Sequence, residues 1–222
     1  MLKRALSYIY PITEKKIPSK VNTRLDVIWN KGKLELDTKH TNYSYGNLEK
    51  VLKNGLQFIG FEKIKSMDKV LVLGLGAGSI INILRTDIKF TGHITSVELD
   101  PTIIYIGEKY FKLNAFNEHH DIYQMDAFEY VLCCQDNFDL IIIDIFQDFK
   151  MPSFLFEDYF VNHLKKLLNV NGFILFNTIV LNTNEEDRNK NYAALFNEEA
   201  FSVRMNRRLQ KYNEIITVKR IS

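Results

Sequence analysis

Three glycines and a set of strand-end acids in this 222-residue chain have the types and spacing that chemistry needs. Gly74, Gly76 and Gly78 follow at once on the short apolar run Lys69 to Leu73. Glycine lets a backbone turn sharply and lets a ligand approach main-chain N–H groups with no Cβ in the way. A second short run, His93 to Leu99, ends in Glu98, Leu99 and Asp100. An acid there, about 20 residues after a glycine turn, can accept hydrogen bonds from both hydroxyls of a ribose. Asp144 closes the run Phe138 to Ile143. An acid at the carboxyl end of a central strand can orient a nucleophile or accept its proton; the plainer reading is a polar strand end satisfied by neighbouring backbone N–H groups.

The elements that must position these residues follow from the same stretches. Strand, glycine turn, the apolar-periodic helix Ser79 to Leu84, strand and acid make one unit. It predicts an adenosine-type ligand across the carboxyl ends of parallel strands. The spacing is Gly74-x-Gly76-x-Gly78, with Ser79 where a dinucleotide fingerprint has its third small residue. That favours a nucleoside without a pyrophosphate and leaves an NAD-dependent oxidoreductase as a distant reading. Asp100-Pro101 reads as a cap and first residue of a helix over Thr102 to Lys112, so Glu98 is the better ribose ligand. Asp121 to Met125 is a third strand, and Asp126-Ala127 opens the next helix.

The flanks are simpler. Residues 1 to 20 read as an irregular arm with one short strand around Tyr8 to Ile12. Val21 to Leu36, turning at Lys31-Gly32, alternates as a β-hairpin. Leu48, Val51, Leu52, Leu56 and Ile59 form the stripe of an amphipathic helix. A helix after Pro152 carries His163 on its surface, Asn171-Gly172 turns into a strand over Phe173 to Val180, and a short helix is expected over Tyr192 to Phe196. Phe201 to Met205 and Glu214 to Val218 form a closing antiparallel pair.

Composition excludes several classes. With 46% hydrophobic and 25% charged residues and a net charge of +2, the chain is an ordinary globular one with no demand for nucleic acid or anionic membrane. The basic end (Arg204, Arg207, Arg208, Lys211, Lys219, Arg220) reads as a solvated face. No apolar stretch reaches the ~18 residues of a membrane span, and the start lacks a signal-peptide pattern. Cys133 and Cys134 are adjacent and form no ordinary bridge, which points to the cytoplasm. No metal-ligand spacing occurs.

VLVLGLGAGS, SVELDP, QMDAFEYV and FDLIIIDIF together resemble the motif series of class I S-adenosylmethionine-dependent methyltransferases. Within that superfamily the chain is most similar to the spermidine synthase-like (polyamine aminopropyltransferase-like) group, over roughly Leu34 to Phe176. The resemblance implies an α/β, Rossmann-like fold with a mostly parallel seven-stranded sheet, helices on both faces and a short N-terminal β-hairpin. It divides the chain into an arm and hairpin over 1–42 and the nucleotide-binding domain over 43–222. It implies S-adenosylmethionine, or its decarboxylated form, bound by Gly74, Leu75, Gly76, Gly78, Glu98 and Leu99, with Asp126 and Ala127 on the adenine. Tyr43, Tyr45 and Phe146 become acceptor-side candidates and Asp144 the catalytic one.

Aminopropyltransferases carry two acids three residues apart at the Asp144 strand end; here the second is Gln147, with Asp148 one place late. They also have an acid where Ala77 stands. The Asn/Asp-Pro-Pro-aromatic tetrapeptide of many amino-group methyltransferases is missing too. The reading is therefore a transferase moving a methyl group to a small-molecule acceptor. Aminopropyl transfer to a polyamine is the alternative, and a non-catalytic nucleoside-binding or dimerisation module the second. A homodimer is compatible with all three.

Overall fold

The computed structural model describes residues 2–38, 42–147, 149–210 and 212–222. Asp148 and Lys211, and the side chains of Tyr43, Arg207 and Arg208, lie outside what it describes. Helix α1 (Leu2–Leu6) precedes a small antiparallel sheet of β1 (Ile12–Ser19), β2 (Thr23–Asn30), β3 (Lys33–Asp37) and β4 (Asn42–Ser44), in that spatial order. The expected hairpin is β2–β3. The expected irregular arm is not: β1 pairs with β2 from Ile12↔Trp29 to Ser19↔Thr23. Its alternation is faint in the sequence because it is an edge strand, with Thr13, Lys15, Lys16 and Pro18 exposed and its other residues only half-buried. The sheet's last strand, β4, lies across the domain boundary expected after residue 42.

The larger unit runs α2 (Gly46–Ile59), α3 (Phe61–Lys65), β5 (Lys69–Leu73), α4 (Ser79–Asn82), β6 (His93–Glu98), α5 (Pro101–Phe111), β7 (His120–Gln124), α6 (Ala127–Cys133) and β8 (Phe138–Ile143). Then come α7 (Asp158–Leu167), β9 (Leu168–Ile179), α8 (Thr183–Ala194), β10 (Phe201–Gln210) and β11 (Asn213–Arg220). Helix α4 continues as a π-helical stretch, Ile83–Ile88. The seven strands lie in the order β10-β11-β9-β8-β5-β6-β7. β9, β8, β5, β6 and β7 are mutually parallel, and β11 and β10 close the sheet antiparallel.

Side-chain alternation sorts the core. Val70, Val72, Leu140 and Ile142 face α2, α3 and α4, while Leu71, Leu73, Ile141 and Ile143 face α6, α7 and α8. Both faces are covered, so these strands read as unbroken apolar runs. A third cluster joins Leu25, Val27 and Leu36 of the small sheet to Ile103 and Ile106 of α5 and to Ala77.

Two further expectations are corrected. β9 starts at Leu168 and passes through Asn171, at φ 67°, rather than beginning at Phe173; the extra residues bulge against β8. α8 covers 12 residues where a short helix was expected. It is capped by Asn182, whose side chain accepts the Glu185 N–H at 3.2 Å, and it buries only Asn189 and Tyr192, so no apolar stripe announces it.

Candidate active site

The chain leaves β5 for β6 and β7 on one side and returns to β8 on the other, so a crevice opens above the carboxyl ends of β5, β6 and β8. Ladder hydrogen bonds continue one residue past the strands: Asp144 N–H to Leu73 O at 2.9 Å, Gly74 N–H to Val97 O at 3.0 Å, and Met125 N–H to Glu98 O at 3.1 Å. Gly74 has φ 89°, and a Cβ there would run into the Asp144 carbonyl oxygen. Only glycine lets the two loops touch.

A cleft of about 670 Å³, counting its solvent-open part, lies at this point. Glu98, Asp126 and Asp144 all line it. Glu98 is 6% exposed; its Oε2 accepts the Gly76 N–H at 3.1 Å and its Oε1 the Asp100 N–H at 3.0 Å. Burial outweighs those donors and pushes its carboxyl up to about 7. The Leu99 backbone N–H also acts on this carboxylate and favours its ionised form. Asp126 Oδ1 accepts the Phe128 N–H at 2.7 Å, the cap that starts α6. Asp144 Oδ1 accepts the Asn177 amide at 2.8 Å, and burial again dominates, raising this acid to about 7.

The glycine turn satisfies its own N–H groups. Gly74 and Leu75 donate to Val97 O, Gly76 to Glu98, and Gly78 to Leu75 O at 3.2 Å. Ala77 donates to Ser44 Oγ at 3.2 Å, and Ser44 is 1% exposed. No lysine, arginine or histidine lines the cleft among the described residues.

The turn between β1 and β2 forms one rim. Val21 and Asn22 line the cleft. Asn22 Nδ2 donates to Asp100 Oδ2 at 2.9 Å, Ser19 Oγ donates to the same oxygen, and Gln147 donates its side-chain amide to Val21 O. Asp100 is thus both the α5 cap, accepting the Thr102 N–H at 2.9 Å, and the anchor of this strap.

Of the residues singled out in the sequence, Gly74, Glu98, Leu99, Asp126, Ala127, Asp144 and Phe146 meet around the cleft. Leu75 is buried at 2% exposure, and Gly76 and Gly78 do not line it. Tyr45 stacks on Phe111 with ring centroids 4.5 Å apart, away from the lining. Val21, Asn22 and Ser44 were not foreseen. The nearest hint to Ser44 is its place between Tyr43 and Tyr45, just before α2.

The spermine/spermidine synthase domain matches residues 49–209, most of the chain. The chain belongs to the spermine/spermidine synthase domain family. The polyamine aminopropyltransferase of Vibrio vulnificus is 27% identical over 136 residues, 59% of this chain and 44% of that protein. The eEF1A lysine and N-terminal methyltransferase homolog of Drosophila melanogaster is 26% identical over 119 residues, 50% of this chain and 17% of that one. The chain thus spans less than half the length of these relatives. Among solved structures, spermidine synthase of Thermotoga maritima superposes with a TM-score of 0.67 at 18% identity, covering 95% of this chain and 74% of that one. Human methyltransferase-like protein 13 in complex with SAH gives 0.63 at 20% identity, covering 80% and 83%. Both share the fold.

Within the spermine/spermidine synthase domain family, the departure at Ala77 has a packing reason. Ala77 is fully buried in the apolar cluster that holds Leu25, Val27 and Leu36 of the small sheet, where a carboxylate would lose its hydration.

Proposed function

We propose that this chain is an aminopropyltransferase that takes decarboxylated S-adenosylmethionine as its donor and an amine as its acceptor. The observation that carries this reading is the state of the glycine turn. A donor that keeps its methionine carboxylate needs an N–H or a cation near Gly74 to Gly78. All five N–H groups there are engaged within the protein, and no cationic side chain lines the cleft among the described residues. A donor without that carboxylate asks for neither.

The remaining groups fit a thioadenosine. Glu98 would take the ribose hydroxyls, and Asp126 with Ala127, which also line the cleft, would take the adenine amino group and a ring nitrogen. When bound, such a donor supplies a carbon activated toward nucleophiles by a positively charged sulfur. Asp144, at about 7, orients the incoming amine and takes the proton its nitrogen must lose. The cleft walls hold nitrogen and carbon in line, the largest gain open to such a displacement.

Methyl transfer is the second reading, supported by relatives named as methyltransferases. Calorimetric titration separates the two. Tighter binding of decarboxylated S-adenosylmethionine than of the intact donor is the expected result, and the reverse order makes methyl transfer the better reading.

A further inference from the structure

The small sheet carries a feature that the cleft does not use. Helix α1 binds the protein through its polar residues. Lys3 Nζ pairs with the Glu14 carboxylate at 3.2 Å, and Arg4 Nε donates to the Gly32 carbonyl at 3.1 Å. Ser7 is buried, its Oγ accepting the Gly32 N–H and its carbonyl the Lys31 N–H, each at 2.9 Å. The turn continues past the helix, with the Ile9 N–H donating to Leu6 O at 3.0 Å. Leu2, Ala5, Leu6 and Ile9 thus follow the i, i+3, i+4, i+7 spacing of a stripe that ordinarily faces a core. Here α1 buries none of its residues, Leu2 is 74% and Ile9 80% exposed, and Tyr8 and Tyr10 beside them are more than half exposed. The amphipathic turn is inverted, polar side inward. An apolar patch held toward solvent by such bonds marks a surface that something covers.

The charge around the patch decides what covers it. Residues 1–33 carry eight lysines and arginines against two acids, a surplus of +6 in a chain whose total is +2, so the remainder stands at −4. All eight basic residues are exposed, and both acids are paired, Glu14 with Lys3 and Asp26 with Arg24. A second copy seated on this face would set like charge against like. An anionic bilayer meets both demands, drawing the basic residues to its headgroups and the aliphatic side chains to the acyl boundary. We infer that this end of the small sheet docks on an anionic lipid surface, with Leu2 and Ile9 entering it and Tyr8 and Tyr10 at headgroup level. The docking face leaves the cleft free. It lies at the Ile12↔Trp29 end of the β1–β2 pair, whereas the strap lies past Ser19↔Thr23, roughly 20 Å along the strand. The inference is independent of which group the cleft transfers.

The test is flotation of the full chain with phosphatidylcholine vesicles containing about 30% phosphatidylserine, and with vesicles of phosphatidylcholine alone. The chain is expected to float with the anionic vesicles, to bind the neutral ones about tenfold more weakly, and to be released by salt. Ile9→Ser should weaken binding about tenfold, and so should the double variant Lys15→Glu, Lys31→Glu. All three positions are exposed, so the melting temperature should hold in both variants. Where Ile9→Ser lowers it, Leu2→Ser takes its place. Absence of binding to the anionic vesicles overturns the inference, as does equal binding to the neutral ones. Binding that either variant leaves at the wild-type level overturns it as well. A concentration-dependent dimer of the wild type that Ile9→Ser abolishes assigns the patch to a second copy, and that outcome also overturns it.

Discussion

Asn177 donates its side-chain amide to Asp144 Oδ1 across 2.8 Å, and its own Oδ1 accepts the Asn213 amide at 3.0 Å. The strand-end acid is therefore held from β9 and β11, not from its own loop. Donation from Asn177 favours the ionised carboxylate, burial opposes it, and burial prevails.

Replacing Asp144 by Asn should lower aminopropyl transfer by about 10²–10⁴-fold, the usual contribution of a positioned acid–base group. Donor affinity should change by less than about tenfold, since the nucleoside contacts lie on other strands. Release of methylthioadenosine gives the first quantity and calorimetry the second. A variant that retains wild-type turnover would remove Asp144 from the chemistry.

Asn177→Ala should act through pH. Losing the donor raises Asp144 further, so the rising limb of the rate–pH profile moves above its wild-type position near 7. Activity at pH 7 falls and recovers in more alkaline buffer. A loss that is uniform across pH would mean that Asn177 serves packing alone.

Stability should also depend on pH, with a definite sign. Glu98 and Asp144 each stand near 7 in the folded chain, above the ordinary 4.5 and 3.8 of the unfolded one. Between those limits the folded state holds more protons, so stability falls as pH rises from about 4 to about 7. Thermal melts at pH 5 and pH 8 of wild type and of the double variant Glu98→Gln, Asp144→Asn test this. The wild-type difference should shrink in the variant.

Gly74→Ala adds a Cβ that collides with the Asp144 carbonyl, at a φ that L-residues avoid. The expected cost is about 2 kcal/mol or more. Because the strain is delivered to the Asp144 backbone, catalysis should suffer beyond what the melting temperature alone predicts. Tyr45→Leu should behave oppositely. Its ring stacks on Phe111, so the variant should melt earlier while acceptor KM stays unchanged.

Much of this was legible in the residues. β5 and β8 match their runs residue for residue because both faces of the sheet are covered and nothing polar interrupts the apolar stretch. The place of Glu98, Asp126 and Asp144 at the cleft was legible because each lies at, or within two residues of, the carboxyl end of a strand that points at the crevice. Helix α8 was hidden by a polar surface, and β1 by an edge position. The strap was invisible for a different reason. Asn22 and Asp100 are 78 residues apart, and Gln147 and Val21 are 126 apart, so no local pattern couples them. Nor can spacing tell which way a glycine turn directs its N–H groups; Ser44, 33 residues before Ala77, decides one of them.

Those same separations bear on how the molecule assembles. Closing a loop of 78 or 126 residues carries an entropic penalty that a few hydrogen bonds cannot meet until the intervening strands have already paired. The β1–β2 turn leaves the ribosome before Asp100 and Gln147, and these partners are in place only once the central parallel strands are in register. The rim of the cleft is therefore completed late in folding, after the sheet that bears its acids. Nucleoside affinity should rise later in a refolding time course than the far-ultraviolet signal of the helices and strands.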